Sequence, residues 1–284
     1  MIEIDKWVGR LGNNIKQLRN VIDIAIAYKH NIIISALSGG AGTPFEHGID
    51  MIKFFDLSII VSYFNKYTNT EKIIDKDENS RHGANFIHIE HTARFPKEVF
   101  TQNVKERNQL LKKAFLIKDI QKLPENDLVI HIRSGDIFRD AKHFPHWLLV
   151  LYCPPPLSYY ITEINKYNYE TIHIICEDTI NPVVNKLLEL YKNAIYTKNT
   201  LETDIKIILG ATNIIASVGT FIPSLLLLSD NIRFKHPDFN DSKYYEGIHP
   251  WRNTEKQRHY MLTYNLQKYI ETDVSSARYY ISHK

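Results

Sequence analysis

Leu128-Val129-Ile130-His131-Ile132-Arg133-Ser134-Gly135-Asp136 passes from a nearly unbroken apolar run into a charged tip that contains a glycine. A short apolar run bounded by turn residues reads as a strand buried on both faces, the kind found in parallel sheets covered by helices. Just upstream, Leu123-Pro124-Glu125-Asn126-Asp127 breaks the chain. Downstream, a helix over about 158–166 leads to a strand over 171–176 and then to a helix opened by Asn181-Pro182, an N-cap followed by proline in the first turn. Val184, Leu187, Leu188 and Tyr191 give that helix its buried stripe. A strand over 194–196 follows, then a helix started by Thr200 with Leu201, Ile205, Ile208 and Leu209 on one face. A strand over 213–217, a helix over 220–228 and a strand over 232–235 complete the pattern. Strand and helix in alternation predict an α/β fold with a parallel sheet and right-handed crossovers.

The N-terminal half opens the same way. Residues 1–8 alternate weakly, Gly9-Arg10-Leu11-Gly12-Asn13-Asn14 is a turn, and Ile15, Leu18, Ile22 and Ile26 mark an amphipathic helix before the strand Ile32-Ile33-Ile34. This is the start of a Rossmann-like unit. A helix rich in Lys and Arg is expected over 99–119, and the break after it divides the chain into domains 1–125 and 126–284. The last helix, over about 254–270, is long enough to cross back onto the first domain. Gly39-Gly40-Ala41-Gly42-Thr43-Pro44 reads as a lid or acceptor loop, and the charged stretch 65–85 as a solvated loop.

At 284 residues with 44% apolar and 24% charged residues, the chain has the composition of a globular protein. Its 35 Lys and Arg nearly balance 32 Asp and Glu, which argues against nucleic acid as a partner. No apolar run approaches the roughly 20 residues of a membrane span, so a cytoplasmic protein, or one resting on a membrane surface, is expected. Cys153 and Cys176 allow at most one bridge, and Cys176 reads as a buried thiol.

Four segments carry candidate chemistry. His131, Arg133, Gly135 and Asp136 stand where a strand runs out into a loop, the place where open parallel sheets bind ligands. A guanidinium there grips phosphate oxygens in a bidentate way; an internal Arg133–Asp136 ion pair accounts for the same residues equally well on motif chemistry alone. Ser217, Gly219, Thr220 and Phe221 again join strand to helix, where free amides and hydroxyls make an anion site or simply a well-capped helix. Glu177 and Asp178, at a third strand end, offer acceptors to a nucleotide base or ribose, or cap the next helix. Gly9 to Asn14 lacks the third glycine of a dinucleotide fingerprint, and no phosphate-loop Lys-Ser/Thr pair is present.

Taken together and in this order, the segments resemble the GDP-fucose-dependent fucosyltransferase superfamily, and most closely the bacterial-type α-1,2-fucosyltransferase family. That family's N-terminal glycine loop ending in Gly-Asn matches Gly12-Asn13, and its His-x-Arg-x-Gly-Asp motif matches His131, Arg133, Gly135 and Asp136. Its acidic strand end matches Glu177-Asp178. Its Leu-Glu-x-Asp helix and Ser-x-x-Thr-Phe segment match Leu201-Glu202-Thr203-Asp204 and Ser217, Thr220 and Phe221. The chain departs from many relatives at Ser134, where they carry a second arginine, at Val218-Gly219, and at Ile222-Pro223.

The resemblance implies a GT-B architecture, two Rossmann-like domains facing across a cleft, with the nucleotide on the C-terminal one and no metal. It further implies an inverting glycosyltransferase of polysaccharide biosynthesis, with no cofactor beyond its donor substrate, GDP-fucose, and with a glycan hydroxyl as acceptor. Arg133, Asp136 and Asn13 are then the candidate catalytic residues, and His131, Arg133, Glu177, Asp178, Ser217, Gly219, Thr220, Phe221 and Gly12 the candidate donor contacts. Glu46 and His47 are further candidates on the acceptor side; His143 and His146 read as loop or packing residues. The competing expectations are a transferase of the same fold with another nucleotide sugar, and a nucleotide- or carbohydrate-binding module without turnover.

Overall fold

Parallel strands and covering helices organise the chain in a computed structural model that describes residues 1–35, 49–69, 71, 73, 95–139, 154–236, 268 and 271. These residues fall into two compact units, Met1–Asp119 with Pro223–Leu228, and Ile120–Ile222 with Ser229 onward.

In the first unit, β1 (Ile2–Ile4) and β2 (Ile32–Ile34) pair in parallel through the crossover helix α1 (Leu11–Tyr28). Ile2, Ile4, Ile15, Leu18 and Ile22 are all buried, as their spacing requires. Lys29 ends α1 in the left-handed region, and its N–H returns to the Ala25 carbonyl. α2 (Ile49–Phe54) and α3 (Leu57–Phe64) follow, the latter capped by the Asp56 carboxylate on the Ser58 N–H. Within the stretch expected to be a solvated loop, Asn69 and Ile73 instead form isolated parallel bridges to His30 and Ile2.

The helix expected over 99–119 is shorter. Lys97–Phe100 is a single 3-10 turn after Pro96, and the α-helix, α4, covers only Val104–Ala114. It stops because Phe115 turns extended to bridge Phe55, and the Leu116 N–H bonds to the Phe54 carbonyl. Pairing and burial of Phe115 outweigh another helical turn. α4 also closes a buried ion pair on α1, Arg107 Nη1 to Asp23 Oδ2 at 2.8 Å.

The second unit is a five-stranded parallel sheet of β3 (Leu128–Ile132), β4 (Ile172–Cys176), β5 (Ala194–Tyr196), β6 (Asn213–Ile215) and β7 (Phe234–His236), in the order β5-β4-β3-β6-β7. Between the strands run the one-turn α5 (Asp136–Arg139), α6 (Leu157–Ile164), α7 (Pro182–Leu190), α8 (Leu201–Gly210) and α9 (Phe221–Leu226). All five residues of β3 are buried, so the unbroken apolar run reports a central strand covered on both faces. Tyr159, Tyr160, Val183, Val184 and Leu187 pack with it. Asn181 caps α7 by accepting from the Val183 N–H, and Thr200 caps α8 by accepting from the Thr203 N–H.

β6 ends at Ile215, earlier than expected: its pairing with β3 and β7 stops there, and the Ala216 carbonyl accepts instead from the Tyr159 hydroxyl at 3.4 Å. α9 spans six residues, with Leu227 and Leu228 in a closing turn. Residues 39–47 and most of the 254–270 helix lie outside the described residues, as do Cys153, His143 and His146.

Truncating the central strand should cost far more than truncating its edge. Ile130→Ala is expected to lose about 2–5 kcal/mol in urea unfolding, and Ile195→Ala, half exposed on β5, less than about 1 kcal/mol.

Candidate functional site

From β3 the chain adds β4 and β5 on one side, then returns to add β6 and β7 on the other. The reversal falls between β3 and β6. Because the strands are parallel, connections leave in opposite directions at that point and open a crevice beyond the carboxyl ends, where α/β sheets bind ligands. Three of the segments singled out in the sequence exit there on neighbouring strands. Arg133-Ser134-Gly135 leaves β3, Glu177-Asp178 leaves β4, and Ala216 to Thr220 leaves β6.

His131 is the second-last residue of β3. Its ring is buried, 5.6 Å between centroids from Phe221 at 49°. Burial, reinforced by the positive charge of Arg133, lowers its pKa to about 3. The imidazole is therefore neutral, a hydrogen-bonding group and not a cation. Its Nδ1 is enclosed and has no hydrogen-bond partner, a buried polar atom left unsatisfied by the fold. Arg133 is half-buried, with its Nε shut off from solvent. A partly desolvated guanidinium binds an anion more strongly than one in bulk water.

On the β6 side, Ser217 is buried and sits against the Tyr160 phenol, whose pKa burial drives upward. Gly219 has φ +114, and a Cβ there would meet nothing within 4 Å. Backbone conformation demands the glycine, and its open side leaves the main chain approachable. Thr220 and Phe221 are half-buried beside it. With only six residues, α9 contributes little dipole, and its first turn has N–H groups at Phe221 and Ile222 but none at Pro223.

A polar network fixes the β3 exit. The Ser134 hydroxyl donates to Asp178 Oδ1 at 2.5 Å, and the same oxygen accepts from the Gly135 N–H at 3.4 Å and the Ile180 N–H at 3.1 Å. Asp178 thus ties the tips of β3 and β4 together. Glu177 is exposed, and its carboxylate lies so near Gly135 (φ +68) that a Cβ would come within 2.4 Å of Oε2. Asn181, wholly buried, donates from Nδ2 to the Arg133 carbonyl at 2.9 Å, and its N–H donates to Ser134 Oγ at 3.0 Å. Sequence reasoning placed Asn181 only as a helix cap and named Ser134 only as a departure. The hydroxyl of Tyr159, which holds the β6 exit, was not singled out either.

The remaining candidates are in the first unit or outside the described side chains. Gly12 is the second residue of α1, and its carbonyl accepts from Ser224 Oγ at 2.7 Å inside that unit. Asn13 is half-buried with its amide against Gly9, where a Cβ would approach Nδ2 to 2.3 Å. Asn14 Nδ2 closes the turn on the carbonyls of Val8 and Gly9. Asp136 opens α5, but its side chain is not among those described, and Glu46 and His47 lie outside the described residues. Cys176 is buried, and its thiol is pushed up to about 12 by burial. No group of three potential metal ligands occurs among the described residues.

No protein-family model matches the chain, and no curated protein matches it. Among solved structures it is similar to POFUT1 in complex with GDP, at 11% identity and TM-score 0.45, covering 82% of this chain and 96% of that one. It is similar also to NodZ α-1,6-fucosyltransferase soaked with GDP-fucose, at 11% identity and TM-score 0.39, covering 80% and 92%. The fucosyltransferase NodZ from Bradyrhizobium gives 9% identity and TM-score 0.40 over 80% and 92%.

The neutrality of His131 has a measurable consequence. Its folded pKa of about 3 lies below the ordinary 6.5, so in between the unfolded chain binds the extra proton. Its share of stability is complete above the ordinary value and is lost as pH falls toward the folded one. Urea unfolding of His131→Gln should therefore depend less steeply on pH across that acid window, by up to about 1.4 kcal/mol per unit. An unchanged slope would show that the imidazole protonates in the folded state.

Proposed function

We propose that the chain is an inverting, metal-independent glycosyltransferase of the bacterial-type α-1,2-fucosyltransferase kind, moving L-fucose from GDP-fucose onto a glycan hydroxyl. In this proposal the architecture is GT-B, with residues 1–125 on the acceptor side and 126–284 on the donor side of a cleft. The enzyme works in the cytoplasm, at most peripheral to a membrane, in polysaccharide biosynthesis. One observation carries the reading: a half-buried arginine, a neutral histidine with an unsatisfied ring nitrogen and a glycine-opened backbone turn stand on adjacent strand ends where the strand order reverses.

The chemistry needs those groups. As the acceptor hydroxyl attacks the anomeric carbon, the bond to the β-phosphate oxygen breaks and its electron pair passes to the departing GDP. Charge that grows on the diphosphate is stabilised by donors already in place. Arg133 supplies full positive charge, while the amides near Gly219 and Thr220 and the Ser217 and Thr220 hydroxyls supply dipoles. His131, uncharged, orients the nucleotide by hydrogen bonding and leaves the charge to Arg133. Glu177 and Asp178 take ribose or base donors, and Phe221 packs behind His131. Asp136 takes the acceptor's hydroxyl proton, Asn13 places the acceptor, and Gly12 contacts the donor.

Arg133→Ala is expected to weaken GDP binding about a hundredfold in titration calorimetry, the loss of two charge-assisted bonds, with circular dichroism unchanged. Thr220→Ala should cost about fivefold, one neutral bond. Wild-type affinity in Arg133→Ala would remove the arginine from the donor site. A panel of GDP- and UDP-sugars assayed for released nucleotide should single out GDP-fucose. Turnover of a different donor would revise the sugar, and binding without turnover would make the chain a binding module.

A further inference from the structure

We infer that Asn181 is a positioning residue for Arg133, held by helix α7 and acting on the backbone at the point where β3 leaves the sheet. This rests on the assignment of Arg133 to the donor site and adds a residue that the motif reading gave only a capping role.

Asn181 is wholly buried, and the two ends of its side-chain amide serve different partners. Its Oδ1 accepts from the Val183 N–H at 3.0 Å, which caps α7. Its Nδ2 points the other way and donates to the Arg133 carbonyl at 2.9 Å, across 48 residues of sequence. Its backbone N–H donates to Ser134 Oγ at 3.0 Å, and Ser134 passes the connection to Asp178. Two consecutive residues of the β3 exit are therefore gripped from one residue. That residue is itself fixed by a helix whose Val183, Val184 and Leu187 are packed in the core.

The consequence is geometric. Arg133 lies one residue past the last β3 residue, so the ladder that aligns Ile132 with Cys176 no longer aligns Arg133. The peptide that follows Arg133 is oriented by Asn181 and not by a neighbouring strand. Rotation of that peptide would redirect the Arg133 side chain, and a guanidinium displaced by about 1 Å forfeits much of its grip on a phosphate. Ser134, standing where many relatives of the resembling family carry a second arginine, is fully engaged in this support and adds no charge.

The two functions of the Asn181 side chain are separable. Asn181→Ser keeps an N-cap oxygen but cannot reach Arg133, and Asn181→Asp keeps both the cap and the side-chain volume but loses the donor. Each is compared with wild type for GDP affinity by titration calorimetry at a temperature where near-UV circular dichroism shows it folded. The measurements are repeated in an Arg133→Lys background, which lacks the bidentate fork. Both Asn181 variants should lose about ten- to a hundredfold in affinity with Arg133 in place. In the Arg133→Lys background the further loss should be less than about twofold, a coupling that general destabilisation does not produce. Equal losses in the two backgrounds, or wild-type affinity in both Asn181 variants beside a weakened Arg133→Lys, would overturn the positioning role alone. Arg133→Lys binding GDP as wild type does would instead reject the donor-site assignment.

Discussion

Everything at the candidate site depends on β3 being hydrogen-bonded in parallel on both sides, to β4 through five residue pairs and to β6 through three. Parallel pairing sends all three strands out of the sheet at the same edge. Placing β6 on the far side of β3 from β4 makes the connections diverge there. Without that arrangement His131, Arg133, Ser217 and Gly219 would be residues distant in sequence with nothing in common. With it, they stand at the carboxyl ends of neighbouring strands.

The electrostatics at these strand ends follow from burial. Desolvation removes the charge from His131, and a charged imidazole beside Arg133 would add repulsion to the cost of burial. The imidazole therefore adds no positive charge beside the Arg133 guanidinium. Around the strand exits lie polar contacts of a second kind, with Ser134, Asp178 and Asn181 on one side and Tyr159 on the other. Such networks are costly when half satisfied and rigid when satisfied, and here they hold the exits of the two strands that flank the reversal.

Much of this was legible in the sequence because it is local. The apolar run of β3, the Asn181-Pro182 and Thr200 caps, the α1 periodicity and the glycine turns at Gly135 and Gly219 each declare themselves within a few residues. What was not legible is non-local. Nothing between residues 97 and 119 shows that Phe115 will turn out to meet Phe55, so the basic helix reads too long. The Asn181 amide shows its cap in the adjacent Pro182 and Val183, but its bond to Arg133 depends on which strands are neighbours. Ser134 looks like a lost charge until its hydroxyl is seen between Asp178 and Asn181. The strand order, the feature that makes a site from these pieces, has no signature in any single segment.

The most direct test is a crystal structure of the full chain with GDP-fucose. The pyrophosphate should lie beyond the carboxyl ends of β3 and β6, within hydrogen-bond distance of the Arg133 guanidinium and of main-chain N–H groups between Gly219 and Ile222. A nucleotide bound elsewhere, with Arg133 turned from it, would contradict the account.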